Sequence, residues 1–216
     1  IKKIDLKDVF GSTGNFMDQC VEIHELVDGF EFKQDFSNVR NIVVSGMGGS
    51  AYGGQVATSL FKSTLDIPIY LNNDYDLPEF VDEQTLVILT SYSGGTEETL
   101  ASLQEAKDLS AKIIVLTSGG KLAEQAAGFD AVVFNAKSNP SGQPRLGTGY
   151  IVLGTIEILR KIEMINLGAD EITNAIDEVS DNHEVIKNAA KDLSGKVNGY
   201  IPLIFAGGFL QGNAHI

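Results

Sequence analysis

The stretch Thr85-Leu86-Val87-Ile88-Leu89-Thr90-Ser91-Tyr92-Ser93-Gly94-Gly95-Thr96-Glu97-Glu98-Thr99 decides how this chain is read. Its first six residues have the unbroken apolar and β-branched character of a strand buried on both faces. Ser91, Ser93 and Thr96 then crowd around Gly94-Gly95 in a turn rich in hydroxyls. Thr96 suits a helix N-cap, and Glu97, Glu98 and Thr99 fall in the first turn, where carboxylates complement the helix dipole. A strand, a short turn and a helix start together make an anion site, because the helix N-terminus presents unpaired N–H groups and about half a positive charge. The turn carries no Lys or Arg, so dipoles and hydroxyls would hold the anion. The plainer alternative is a capped turn without a ligand, since Ser, Thr and Gly are ordinary turn residues.

The same alternation continues outward. Asn41 to Ser45 reads as a first strand, followed by Gly46-Met47-Gly48-Gly49-Ser50-Ala51-Tyr52-Gly53-Gly54 and a helix to about Lys62. Glycine at that density lets backbone turn tightly and approach a ligand. Ile67 to Leu71 is a second strand, residues 85–90 the third, and 96–109 a helix. Lys112 to Thr117 and Ala131 to Asn135 are the fourth and fifth strands, with a short helix from Lys121 to Ala127 between them. Strands alternating with helices at this spacing predict an α/β fold with a five-stranded parallel sheet covered on both faces. Ligands of such sheets bind beyond the carboxyl ends of the strands, near the switch point, where both glycine-rich turns fall.

The flanks are helical. Residues 15–30 predict an amphipathic helix capped by Asn15, with Cys20 and His24 as ordinary packing or surface residues. Residues 138–149 form a breaker-rich loop carrying Arg145. A mostly apolar helix from about Tyr150 to Ile165 is expected to be buried, and a second helix from about Asp170 to Leu193 to be polar on one side. Tyr200 to Ala206, followed by Gly207-Gly208, echoes residues 42–54 and predicts the opening of a second α/β unit. That reading makes the chain a C-terminally truncated piece; the alternative is an edge strand of the first sheet.

With 216 residues, 43% hydrophobic and 21% charged, the chain has the composition of a globular protein. Its net charge of −13 argues against nucleic-acid and membrane-surface binding. The single cysteine excludes an intrachain disulfide and a Cys-based zinc site. Three scattered His residues show no metal-ligand spacing. No apolar run reaches the length of a membrane span, and the start Ile1-Lys2-Lys3-Ile4-Asp5 lacks a leader's apolar core, so a cytoplasmic location is expected.

Gly46-x-Gly48-x-x-Ala51 also fits a dinucleotide fingerprint, with Asp74 near the place of a ribose-binding acid. That reading, a nucleotide-dependent oxidoreductase, explains neither the hydroxyl turn at the third strand nor an Arg in a third loop. Three loops of small donors suit a compact phosphate better. Gly46-Met47-Gly48-Gly49-Ser50, Ser91-Tyr92-Ser93-Gly94-Gly95-Thr96-Glu97-Glu98-Thr99-Leu100 and Gln143-Pro144-Arg145 together resemble the sugar isomerase (SIS) domain. More closely, they are similar to the bifunctional phosphoglucose/phosphomannose isomerases; Gly95 stands where that group often has Asn.

The resemblance implies two flavodoxin-like SIS domains in a homodimer that interconverts glucose 6-phosphate or mannose 6-phosphate with fructose 6-phosphate, without metal or cofactor. It divides the chain into an N-terminal helical segment (1–36), a first SIS domain (37–150), a helical linker (151–196) and the start of a second SIS domain (197–216). It implies phosphate on Gly49, Ser50, Ser91, Ser93 and Thr96, and Arg145 beside the sugar, steadying enediolate charge. The Glu, His and Lys that do acid–base work in such enzymes belong to the second domain, past Ile216, so no catalytic residue is assigned here. His215, Glu97 and Glu98 are not promoted to that role. The rival from another class is a non-catalytic SIS module that senses a phosphosugar.

Overall fold

The computed structural model describes residues 4–216. Residues 1–3, part of the start read above as lacking a leader's core, lie outside the described residues. Two helices, α1 (Val9–Gly14) and α2 (Phe16–Asp28), precede the first strand. The sheet is built from β1 (Asn41–Gly46), β2 (Ile69–Asn72), β3 (Thr85–Ser91), β4 (Lys112–Thr117) and β5 (Asp130–Val133). Its order is β2-β1-β3-β4-β5 and every pairing is parallel. This is the doubly wound order whose switch point lies between β1 and β3. The intervening helices are α3 (Tyr52–Leu60), α4 (Glu97–Asp108) and α5 (Gly120–Gln125).

Period-2 alternation sends side chains of each strand to two cores. Ile42, Val44, Leu86, Ile88, Ile114 and Leu116 meet α2, α3 and α6 (Thr148–Lys161) on one face. Val43, Val87, Leu89, Ile113 and Val115 meet Leu103, Ala106 and Leu122 of α4 and α5 on the other. Because both faces are covered, β3 is buried at all seven positions. Burial of its apolar side chains contributes on the order of 1.5–3 kcal/mol each, which makes this strand the keel of the domain. Cys20 packs into the α2 face, and burial pushes its thiol up to about 12.

Two expectations need correction, and one element was not foreseen. The single helix expected over 170–193 is two, α7 (Ala169–Asp181) and α8 (His183–Val197). At the break the Asn182 amide donates to the Glu178 carbonyl at 2.8 Å, the local competition by which Asn ends helices. Ile172 and Ile176 of α7 are buried, whereas no residue of α8 is. The strand expected from Tyr200 does not form: residues 200–207 are irregular, and the five-stranded sheet does not include them. They lead into short 3-10 turns at Gly208–Leu210 and Gly212–His215. The second of these turns seats Gly212 against Gln55 and Val56 of α3. The unforeseen element is α1; Asp5 and Asp8 carboxylates cap its first N–H groups.

Candidate functional site

β1 and β3 diverge at the switch point, and each ends in a corner. After β1 the chain makes a 3-10 turn, Gly48–Ala51, before entering α3. After β3 it turns through Tyr92-Ser93-Gly94-Gly95 into α4. Two hydrogen bonds tie the corners together. The Tyr92 N–H donates to Ser50 Oγ at 3.1 Å, and Thr90 Oγ1 donates to the Ser50 carbonyl at 2.7 Å. Gly94 adopts φ +65°, and a Cβ there would lie 1.8 Å from the Gly119 carbonyl oxygen. Only glycine fits, which is how the turn after β4 comes to brace the turn after β3. The Leu122 N–H completes that brace by donating to the Gly94 carbonyl at 2.9 Å.

The hydroxyls divide by role. Ser50 and Ser91 are buried, Thr96 is half-buried and Ser93 is exposed. Ser91 Oγ and Thr96 Oγ1 share a hydrogen bond of 2.8 Å, and Ser91 Oγ also accepts from the Gly94 N–H at 3.1 Å. Ser93 Oγ accepts from the Gly95 N–H at 3.3 Å, leaving its own hydrogen to solvent or ligand. Thr96 occupies the N-cap position of α4 as expected, but its side chain caps no N–H; the hydroxyl turns back to Ser91. The first turn of α4 is therefore left without a side-chain acceptor. An anion with its own oxygens is the natural complement to such a terminus.

Arg145 lies in a third loop, in the 3-10 turn Pro144–Leu146. This turn abuts the turn after β1: a Cβ on Gly49 would sit 3.5 Å from the Arg145 Cα. The guanidinium is exposed and, among the described residues, forms no ion pair. Thus Gly49, Ser50, Ser91, Ser93, Thr96 and Arg145 lie on three neighbouring loops at the carboxyl edge of one sheet. Glu97 and Glu98 flank this edge. The Glu98 charge, followed by burial and Glu97, holds the Tyr75 phenol above its ordinary value. Cationic help at the site comes from Arg145 and the helix terminus, against an acidic background.

Other chemistry-bearing residues stand apart. His24 pairs with the fully buried Glu157, which also accepts from Arg160 Nε at 2.6 Å; this network ties α2 to α6. Two clefts, of about 440 and 540 Å³, lie beside Glu22 and Tyr150 and beside Asp28 and Phe32, and neither is lined by Gly49, Ser50, Ser91, Ser93, Thr96 or Arg145. Among the described residues no three His, Cys, Asp or Glu side chains converge as a metal ligand set, and no helix is long and apolar enough to cross a membrane. Residues that sequence reasoning missed are Tyr92, Asn139 and Gln19. Tyr92 spans the corners, with its hydroxyl accepting from Asn139 Nδ2 at 2.7 Å. Gln19 reaches the Arg145 loop from α2. A polar residue on the apolar face of a predicted helix was the available signal for Gln19.

Fold and site together define a doubly wound α/β protein with three loops converging at its switch point. A model of the SIS domain matches residues 35–141, so this chain carries a SIS domain. It is 36% identical over 207 residues to a bifunctional phosphoglucose/phosphomannose isomerase of Caldicellulosiruptor bescii, a match covering 91% of this chain and 60% of that protein. It is 31% identical over 194 residues to the protein of the same name from Aquifex aeolicus, covering 86% of this chain and 58% of that one. Among solved structures it superposes on tagatose-6-phosphate ketose/aldose isomerase from Escherichia coli with a TM-score of 0.63 at 20% identity, covering 96% of this chain and 60% of that chain. The chain thus spans about 60% of the length of these two relatives.

Proposed function

We propose that this chain carries the phosphate-binding half of a sugar-phosphate isomerase that interconverts glucose 6-phosphate or mannose 6-phosphate with fructose 6-phosphate. The observation that carries this reading is the meeting of three loops at the switch point, two held together through Ser50. The phosphate dianion would rest on the N-terminus of α4, taking hydrogen bonds from Ser93 and Thr96 and from the backbone around Gly49, Ser50 and Ser91. Each charge-assisted hydrogen bond of this kind contributes about 1.5–3 kcal/mol. Arg145, unpaired and adjacent to Gly49, would lie along the sugar and stabilise negative charge as the enediolate forms. No group here is assigned the proton transfer between C1 and C2.

The chain divides at residues 36, 150 and 196 into the helical segment, the first SIS domain, a linker whose α6 and α7 fold back on that domain, and the opening of a second SIS domain. The working protein is a homodimer in the cytoplasm. The test is a coupled assay of fructose 6-phosphate conversion by full-length protein. Turnover is expected there and none from the 216-residue chain alone. Ser93→Ala and Thr96→Ala are each expected to weaken phosphosugar binding by roughly 10- to 100-fold. Binding without turnover by full-length protein would replace the isomerase with a phosphosugar sensor. Unchanged affinity in both variants would remove the phosphate from these loops.

A further inference from the structure

We infer that Gln19 is the positioning residue for Arg145. Among the described residues Arg145 has no ion pair to fix it, so its place depends on the backbone of its loop. That backbone is held from α2, more than a hundred residues away. The Gln19 carboxamide is fully buried. Its Nε2 donates to the Leu146 carbonyl at 2.8 Å and, at longer range, to the Ser138 and Ser12 carbonyls at 3.2 and 3.3 Å. Its Oε1 accepts from the Gly149 N–H at 3.1 Å. Ser138 opens the loop, Leu146 directly follows Arg145, and Gly149 lies in the first turn of α6, where the loop ends. One side chain therefore joins the loop's start to its end.

The chemistry requires an amide. Three carbonyls and one N–H converge on the same buried spot, and only a carboxamide supplies donors and an acceptor on one planar group. A buried loop end left without those partners would lose order rather than merely lose one bond. Gln19 touches neither corner of the phosphate site, and its hydrogen-bonding capacity is used up by backbone. Its effect must therefore pass through the position of Arg145. Asn139 donates both to Tyr92 Oη and, at 2.9 Å, to the Gln143 carbonyl in the middle of the loop, so loss of Gln19 loosens the Arg145 end without freeing the whole segment.

This inference rests on the role proposed above for Arg145, and the experiment separates the two. In full-length protein, Gln19→Met keeps the volume and removes the amide. Its kcat for fructose 6-phosphate is expected to fall roughly 10- to 100-fold while KM changes little, as for loss of a transition-state contact through misplacement. In an Arg145→Ala background the same substitution is expected to cost nothing further. An equal loss in both backgrounds, or no loss of kcat, overturns the positioning role. Gln19→Asn, which keeps the amide but shortens its reach, serves if the Met variant does not fold. If wild type shows no turnover, the isomerase reading fails by itself. Hydrogen exchange then decides the placement: amides 146–149 exchanging roughly tenfold faster in the variant uphold it, and unchanged protection overturns it.

Discussion

Two apolar runs in this chain look alike and end differently. Thr85–Ser91 becomes β3, buried throughout and paired with β1 on one side and β4 on the other. Tyr200 to Phe205 is as apolar and runs into glycines much as β1 does. Yet Tyr200, Ile201, Leu203, Ile204 and Phe205 are 74–90% exposed and belong to no sheet. A parallel strand has no local partner; its N–H and C=O groups are satisfied only by neighbours supplied from far along the chain. β3 has two. The run from Tyr200 has none among the described residues, and Pro202 lacks a donor besides. An unbroken apolar run therefore states what a segment is able to bury, and the strands around it decide whether it does.

The contrast can be broken by substitution. Ile88→Ala in β3 is expected to lower stability by about 2–5 kcal/mol, because a rigid two-sided core cannot close the cavity. Ile204→Ala is expected to stay within about 0.5 kcal/mol. Urea midpoints measure both, and a large loss from Ile204→Ala would mean that the run is packed in solution. The glycines repeat the comparison at a smaller scale. Gly94→Ala forces a side chain against the Gly119 carbonyl at positive φ, at an expected cost of about 2–3 kcal/mol. Gly207, at φ −140° with nothing within 4 Å of a built Cβ, is expected to accept Ala within about 0.5 kcal/mol. Equal tolerance at the two glycines would mean that the turn after β3 is not locked as described.

The same contrast explains what was legible in the sequence. The five strands were readable because each is a short apolar run punctuated by glycine or polar turns, and β4 has the very bounds its residues predict. The two corners were readable because glycine and hydroxyl clusters after strands have few other uses. What the sequence did not carry was long-range partnership. The Ser50 bridge to Tyr92 and the reach of Gln19 across more than a hundred residues are set by packing, and no local pattern encodes them. The break at Asn182 was missed for the opposite reason, since one amide bonding within its own turn outweighed a helical periodicity that continues past it.

A smaller loss than at Ile88 or Gly94 is expected at the lone thiol, which reports on both regions. Burial in the α2 face raises Cys20 from 9.0 to about 12. The unfolded chain releases this proton near pH 9 and the folded chain holds it until about 12, so the thiol's contribution is intact below pH 9 and lost as pH rises from 9 to 12. Burial raises the Tyr92 and Tyr150 phenols as well, which adds a slope of the same sign. Cys20→Ala is expected to cost about 1 kcal/mol at neutral pH and to flatten the alkaline fall in part, as read from urea midpoints between pH 8 and 10. Native protein at pH 8 is expected to resist a thiol reagent until the urea transition exposes Cys20. Moving the thiol, as Cys20→Ala with Ile204→Cys, is expected to give reaction at the rate of a free cysteine peptide before any unfolding. Protection at position 204 would show that the C-terminal run has found a partner, and the two apolar runs would then differ in what covers them rather than in whether anything does.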